Sequence, residues 1–408
     1  MNRVEILSQG DEVITGQTVD TNAAWLSEQL VLMGFDIVHH STVGDSIADI
    51  RDALSQASQR ADLVICSGGL GPTDDDLTAE AVALLSGRPL AFDAQALELM
   101  QDMFERLNRN MVKANEKQVY LPEGATRIDN FWGTAPGFTL LYKQTLMAFL
   151  PGVPGEMTAM FEHGLKPELL KHFGLQPSRR VIFRTTGIGE SNLQEKIGKF
   201  EHKHACLSYR AMGREVQIKL RFLAQCKAEE LDKHCRYMAN ILGDCVFAIE
   251  GWGQGPVGNL AEVVVALLAA KKVNLVCAEG ASGGEFMRLV SLSAKGGFSI
   301  KKGYFFADAN DLQEMLSLQG GSQEKPDYFH LAHALQSVSQ GDVALIITPF
   351  DSVKSKEGES IAKSAQCFLV SGNEQLCVSD QVTGSDTYCQ HAISYTALNF
   401  LRQWLLKH

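Results

Sequence analysis

The sequence predicts an α/β protein whose first part is a mostly parallel sheet with helices on both faces. Three observations carry this. Strand-length apolar segments alternate with helix-length amphipathic ones, glycine-rich runs follow several of the strands, and no internal repeat interrupts the pattern. Val4–Leu7 reads as a first strand. Thr21–Gly34 follows as a helix with Ala23, Ala24, Leu26, Leu30 and Met33 on one face and Gly34 at its end. Phe35–His39 is a second strand, Ser46–Arg60 a second helix, Leu63–Cys66 a third strand and Leu146–Leu150 a later one. Right-handed crossovers gather the strand C-termini on one edge, which is where such sheets bind ligands.

The pattern changes near Gly174-Leu175-Gln176-Pro177. Val181–Thr186 and Glu215–Leu223 read as strands, the second with Val216, Ile218, Leu220 and Phe222 on one face. Ser191–Phe200 and Glu229–Leu242 read as helices. A joint, Gly251-Trp252-Gly253-Gln254-Gly255-Pro256, precedes a further α/β layer. There Asn259–Ala270, Ser282–Leu292 and Thr387–Leu406 are helices, and Val273–Cys277, Val343–Thr348 and Ala365–Val370 are strands. The expected division is a first domain over 1–172, a small α+β domain over 176–250 and a third domain over 256–408. The helices Asn259–Ala270 and Thr387–Leu406 could meet a partner, but their composition suits a core better.

Length and composition narrow the function. The 408 residues suffice for two or three domains with real cores. A net charge of −11, from 37 basic and 48 acidic residues, argues against a general binder of nucleic acid or membrane surfaces. No apolar run has membrane-spanning length, and the N-terminus does not read as a signal peptide. Nine scattered cysteines without a CxxC pair fit reduced thiols, a cytoplasmic setting and no structural zinc.

The most informative run is Ser67-Gly68-Gly69-Leu70-Gly71-Pro72-Thr73-Asp74-Asp75-Asp76-Leu77-Thr78, between a strand and a helix. Glycines at a strand end let backbone approach a ligand, and N–H groups at a helix start bind phosphate. Three adjacent aspartates oppose that phosphate unless a divalent cation lies between them. A single acid such as Asp74 at a helix start usually only complements the dipole, and that reading accounts poorly for three. Gly10–Asn22 adds Asp11, Glu12 and Asp20. Taken alone, Asp20 is better explained as a helix cap than as a catalytic group. Lys117 could meet a phosphate, although an isolated lysine is usually a solvated one. Glu156, in Pro151-Gly152-Val153-Pro154-Gly155-Glu156, is either a dipole-complementing acid or a further metal contact.

Together, GDEVITGQTVDTN at Gly10–Asn22, SGGLGPTDDDLT at Ser67–Thr78, GTAPGF at Gly133–Phe138 and LPGVPGEM at Leu150–Met157 resemble the CinA (competence/damage-inducible protein A) family. The resemblance implies a molybdopterin-binding-type parallel-sheet domain, a KH-like small α+β domain and an α/β amidohydrolase-like domain. In the related cofactor-assembly proteins a GG-x-G-x-x-x-x-D-x-T run and an upstream acid hold ligand and Mg²⁺. By position these are Gly68, Gly69, Gly71, Asp76 and Thr78, with Asp20 as the upstream acid. The resemblance also implies metal-dependent ADP-ribose pyrophosphatase activity. Asp75 and Asp76 are then the catalytic candidates, Asp20, Asp75 and Asp76 hold a divalent ion (Mg²⁺ expected), and Asn22, Lys117, Gly133 and Gly152 are further ligand contacts. A small-molecule nucleotide and a second copy of the chain are the implied partners. The alternative is a protein that holds a pterin or nucleotide, or acts as a scaffold, without turnover.

The middle and last parts carry weaker signals. Thr186-Gly187-Ile188-Gly189-Glu190-Ser191 falls one residue short of the GXXG nucleic-acid loop and reads as a strand-to-helix turn. The last domain resembles nicotinamide mononucleotide amidohydrolases, whose AESCTGG serine is the nucleophile. Here the segment is Ala278-Glu279-Gly280-Ala281-Ser282-Gly283-Gly284, so the nucleophile position is Gly280, which has nothing to attack with. No lysine follows Tyr304–Asp311 at the expected place, and the Thr-Gly-x-Ala-Gly-Pro loop has become Thr348-Pro349-Phe350-Asp351-Ser352. These losses predict a domain without deamidase activity. Rescue by Ser282 is the weaker reading.

Overall fold

The structure is a computed structural model. It describes residues 2–294, 300–318, 326–354 and 360–408, with the side chains of 354, 360 and 361 excepted. Contacts divide the chain into two units, Met1–Arg179 and Arg180–His408.

The first unit runs β1 (Arg3–Gln9), α1 (Asp11–Ile14), α2 (Thr21–Met33), β2 (Asp36–Val43), α3 (Ile47–Arg60), β3 (Leu63–Ser67), α4 (Thr78–Ser86), β4 (Leu90–Phe92) and α5 (Ala94–Arg106). It continues through β5 (Tyr120–Pro122), β6 (Thr126–Ile128), β7 (Gly137–Tyr142), β8 (Thr145–Leu150), α6 (Pro154–Met160) and α7 (Lys166–Phe173). Its main sheet has the order β2-β1-β3-β8-β7-β6. The first four strands are mutually parallel, and β7 and β6 continue antiparallel.

Side-chain alternation explains the two covered faces. Val4, Ile6, Leu63, Ile65, Ala148 and Leu150 pack with α2, α6 and α7. Leu7, Val64, Cys66, Met147 and Phe149 pack with α3 and α4 on the other side. Each fully buried aliphatic side chain contributes about 1.5–3 kcal/mol. Gly34 ends α2 at φ 101°, as its position predicts, and Ser46 caps α3. Within β1 the fully buried Glu5 accepts hydrogen bonds from Arg60 Nε (2.6 Å) and Nη2 (2.7 Å) and from Ser41 Oγ (2.7 Å).

The second unit contains β9 (Arg179–Thr186), α8 (Glu190–Ile197), β10 (Ala205–Met212), β11 (Glu215–Phe222), α9 (Ala228–Leu242) and β12 (Val246–Glu250), in a sheet of order β10-β11-β9-β12. The sequence reading had no strand at β10. That strand alternates imperfectly, and only its ladder with β11 from Ala205↔Phe222 to Met212↔Glu215 defines it. The unit continues through α10 (Leu260–Lys271), β13 (Leu275–Glu279), α11 (Glu285–Ser293), β14 (Ile300–Phe305), α12 (Ala309–Met315), α13 (Tyr328–Ser339), β15 (Val343–Ile347), β16 (Asp351–Lys354), β17 (Ser360–Ser371), β18 (Glu374–Val382) and α14 (Asp386–Lys407). The second sheet has the order β14-β13-β15-β17-β16, with β18 paired to β17. Helices α10 and α14 share its core through Leu260, Val264, Leu268, Ile393, Leu398 and Leu401. Arg402 of α14 donates to the carbonyls of Asp244 and Val246, which ties the two sheets of this unit together.

Candidate functional site

In the first sheet the chain leaves β1 to one side to form β2 and returns on the other to form β3. The C-terminal ends of β1 and β3 are therefore the topological switch point, where open α/β sheets bind ligands. A cleft of about 420 Å³ lies there, within the size range of small-molecule sites. Its walls come from Gln9, Gly10 and Glu12 after β1, Asp45 after β2, Gly68–Pro72 with Asp75 and Asp76 after β3, and Pro151–Val153 with Glu156 after β8. Gln118, Thr134 and Ala135 complete it.

Gly68 and Gly69 turn the chain with φ values of 116° and 68°. A Cβ on Gly68 would meet the Gln9 carbonyl oxygen, and one on Gly69 the Gln9 amide and the Thr78 hydroxyl. Both positive φ and lack of space therefore require glycine here. The expected ligand contact Thr78 is fully buried and does not line the cleft. Its hydroxyl bonds to Gln9 Oε1 and to the Gly68 carbonyl, while Gln9 Nε2 donates to Asp45 Oδ1 at 3.0 Å. Thr78 thus fixes the turn. Asn22 likewise lies outside the lining. Its Nδ2 donates to Ser67 Oγ (2.9 Å) and the Gly152 carbonyl (2.8 Å), fastening the loops after β3 and β8 together.

The acids separate by role. Asp20 is not a cleft residue: Oδ1 accepts from Ala23 N at 2.9 Å as the cap of α2, and Oδ2 accepts from Ser8 Oγ. Asp76 lines the cleft, and its Oδ2 accepts from the Thr73 N–H and hydroxyl. The exposed Asp75 lies below the ordinary carboxyl range, held there first by a hydrogen bond from the Thr73 side chain, then by its own backbone N–H and by the charge of Lys117. Lys117 itself does not line the main cleft. Its Nζ donates to the Thr73 carbonyl (3.1 Å) and pairs with Glu80 (3.4 Å). Gly133 stands against Glu156, and its neighbours Thr134 and Ala135 supply the lining; Gly152 lines the cleft directly.

Asp20, Asp75 and Asp76 therefore do not form a shared ligand set. Among the described residues no three His, Cys, Asp or Glu side chains group as a metal cage would require. The cleft is nevertheless lined by five carboxylates, those of Glu12, Asp45, Asp75, Asp76 and Glu156, and by no lysine, arginine or histidine among the described residues. This donor set fits Mg²⁺ arriving with its ligand, since that ion commonly takes one or two carboxylates plus substrate phosphate oxygens. Sequence reasoning missed Gln9, Asp45 and Gln118. The signal was available for the first two, because each lies at the C-terminal end of a parallel strand on the binding edge.

In the second unit Gly280, where the resemblance would put a nucleophile, has no room for a side chain. A Cβ on Gly280 would lie 2.7 Å from Pro349 N and 3.0 Å from the Thr348 carbonyl carbon. Ser282 is fully buried, and its hydroxyl donates to Glu279 Oε2 at 2.6 Å. Glu279, also fully buried, accepts from the N–H groups of Phe286 (3.2 Å) and Met287 (2.8 Å) at the start of α11, and burial pushes its carboxyl up. Ser282 serves that helix start, its hydroxyl shielded from solvent. Gly187, at φ 77°, turns the chain from β9 into α8. No helix among the described residues is long and apolar enough to cross a membrane.

Comparison with known proteins places these features. Residues 5–171 match the family described as a probable molybdopterin binding domain. A CinA-like protein of Geotalea daltonii is 32% identical over 99% of both chains, and one of Dictyoglomus turgidum is 35% identical over 76% of this chain and 75% of its own. A solved CinA protein of unknown function from Thermoplasma acidophilum is 32% identical, with 41% of this chain and 97% of that one covered at a TM-score of 0.38. On the length and identity of the sequence matches, the chain belongs to the CinA-like family.

Proposed function

We propose that the cleft of the first unit binds a nucleotide diphosphate of the ADP-ribose type and hydrolyses its pyrophosphate bond with a divalent cation, Mg²⁺ by preference. The observation that supports this most directly is the pairing of a glycine turn at the switch point with five lining carboxylates and no basic lining residue. Backbone N–H groups alone do not offset those charges against a diphosphate, so an anionic ligand needs a cation. Asp75 and Asp76 would hold it. Such an ion, when bound, neutralises the diphosphate, polarises phosphorus and lowers the pKa of a water. The chain's own part is positional. The Gly68 N–H is held by the Leu150 carbonyl, so Gly69–Gly71 would offer the N–H donors to phosphate oxygens, while Thr73 immobilises Asp76, and Thr78 and Asn22 hold the loops in register.

The test is ADP-ribose turnover by purified protein with and without chelator. Chelator should abolish turnover, and Asp76→Ala should lower kcat/KM at least about 100-fold. Full turnover by Asp76→Ala overturns the reading. The second reading, ligand holding without chemistry, is favoured by the absence of a preformed metal cage among the described residues. Tight nucleotide or pterin binding with no metal-dependent turnover would establish it. The Gly280 layer has no proposed deamidase role. A cytoplasmic homodimer is the proposed working form, which light scattering on purified protein and fractionation of cells would check.

A further inference from the structure

We propose that Trp132 stacks against the planar heteroaromatic ring of the ligand whose diphosphate occupies the cleft, and so sets the preference for ring-bearing substrates. This rests on the reading of the cleft as a diphosphate site. The cleft holds glycines, carboxylates, amides and a few small apolar groups, but no aromatic side chain lines it among the described residues. A nucleotide seated there by its diphosphate needs a partner for its base outside those walls.

The loop before Thr134 supplies one. Asn130 is buried, and its side chain organises the whole turn. Its Oδ1 accepts from Trp132 N (3.0 Å) and Gly133 N (2.9 Å), and its Nδ2 donates to the Ala135 carbonyl (2.9 Å) and to Glu156 Oε2 (2.8 Å). Glu156, Thr134 and Ala135 all line the cleft, so one amide fixes the loop tip to the cleft wall. At that tip Phe131 and Trp132 are 51% and 45% exposed. Core packing does not account for two adjacent exposed aromatic residues on so rigid a turn. The indole is already oriented: the His163 ring lies nearly parallel at 5.3 Å and 20°, and the Phe131 ring meets it edge-on at 6.1 Å and 76°. With one face against the imidazole, the remaining exposure belongs to the other face and the ring edge. Only Gly133 separates Trp132 from Thr134, at most about 7 Å between their Cα atoms. The loop tip that bears the indole therefore stands at the rim, within the span of a nucleoside extending from the diphosphate, and the ring is held against His163 before the ligand arrives.

Affinities for Mg²⁺-ADP-ribose and for Mg²⁺-pyrophosphate, which has no ring, test this by calorimetry on the full chain. Trp132→Ala should weaken ADP-ribose about 5- to 100-fold, the range of base–aromatic stacking, with pyrophosphate at its wild-type affinity, and Trp132→Phe should recover part of the loss. Equal ADP-ribose affinity in wild type and Trp132→Ala overturns the stacking role and leaves the diphosphate reading intact. So does a parallel loss for both ligands, or a change in oligomeric mass by light scattering without a change in affinity, which would make the aromatic pair a contact between copies. A wild-type protein that binds neither ligand overturns both readings.

Discussion

Gly280 and Pro349 stand so close that a Cβ on the glycine would lie 2.7 Å from the proline nitrogen. Where the sequence resemblance would put a nucleophilic serine, there is thus neither a side chain nor room for one. The neighbour is backbone, which cannot swing aside as a side chain tip does. Reinstating the serine should not reinstate chemistry. Gly280→Ser is expected to lower stability by about 1–3 kcal/mol in urea denaturation and to release no ammonia from nicotinamide mononucleotide. Ammonia release by this variant, or by the wild type with loss on Ser282→Ala, would show that the site opens.

Asn22 acts at a distance from the ligand. Its amide bridges Ser67 Oγ and the Gly152 carbonyl. Asn22→Ala should leave the protein folded, cost about 1–2 kcal/mol, and raise the KM for ADP-ribose about 5- to 30-fold as the two loops lose register. A KM equal to wild type would mean that other contacts suffice to hold them.

Asp20 and Asp76 should separate stability from activity. Asp20 caps α2, so Asp20→Ala is expected to cost about 1 kcal/mol on thermal or urea unfolding and to alter kcat/KM less than about threefold. Asp76→Ala is expected to do the reverse. Loss of turnover in a well-folded Asp20→Ala protein would return Asp20 to the metal-binding set.

The Glu5–Arg60 pair predicts a pH dependence of stability. Burial pushes the Glu5 carboxyl up, but hydrogen bonds from Arg60 and Ser41 and the guanidinium charge outweigh it and leave the carboxyl below its usual 4.5. A depressed folded-state value stabilises at pH above the unfolded value and loses that contribution as pH falls through the folded one. Arg60→Met should therefore cost about 2 kcal/mol near neutrality. That is less than the loss from a fully buried pair, because Arg60 is 39% exposed. The gap from wild type should narrow at about pH 3, as measured by urea unfolding at both pH values. A gap independent of pH would assign the loss to packing.

Much of the first unit was legible because its rules are local. Apolar runs of strand length marked β1 and β3, Gly34 ended α2, and the paired glycines after Cys66 marked a strand-end turn, since run length, φ and capping depend on residues a few positions apart. The candidate site was legible as a region and not as a set of contacts. Whether Asp20 caps a helix or faces a ligand, and whether Lys117 meets phosphate or the Thr73 carbonyl, depends on groups brought together by sheet order. Gln9 and Asp45, 36 residues apart, meet because β1 and β2 are parallel neighbours. That Gly280 has no side chain was readable, but that it has no room for one needed the loop at Pro349. By itself the sequence determined the α/β pattern and the glycine turn, which follow from residue identity and short-range geometry. The tertiary structure decided which carboxylates share the cleft, because hydrogen bonds and steric limits across 30 to 130 residues are set only when the strands have taken their places.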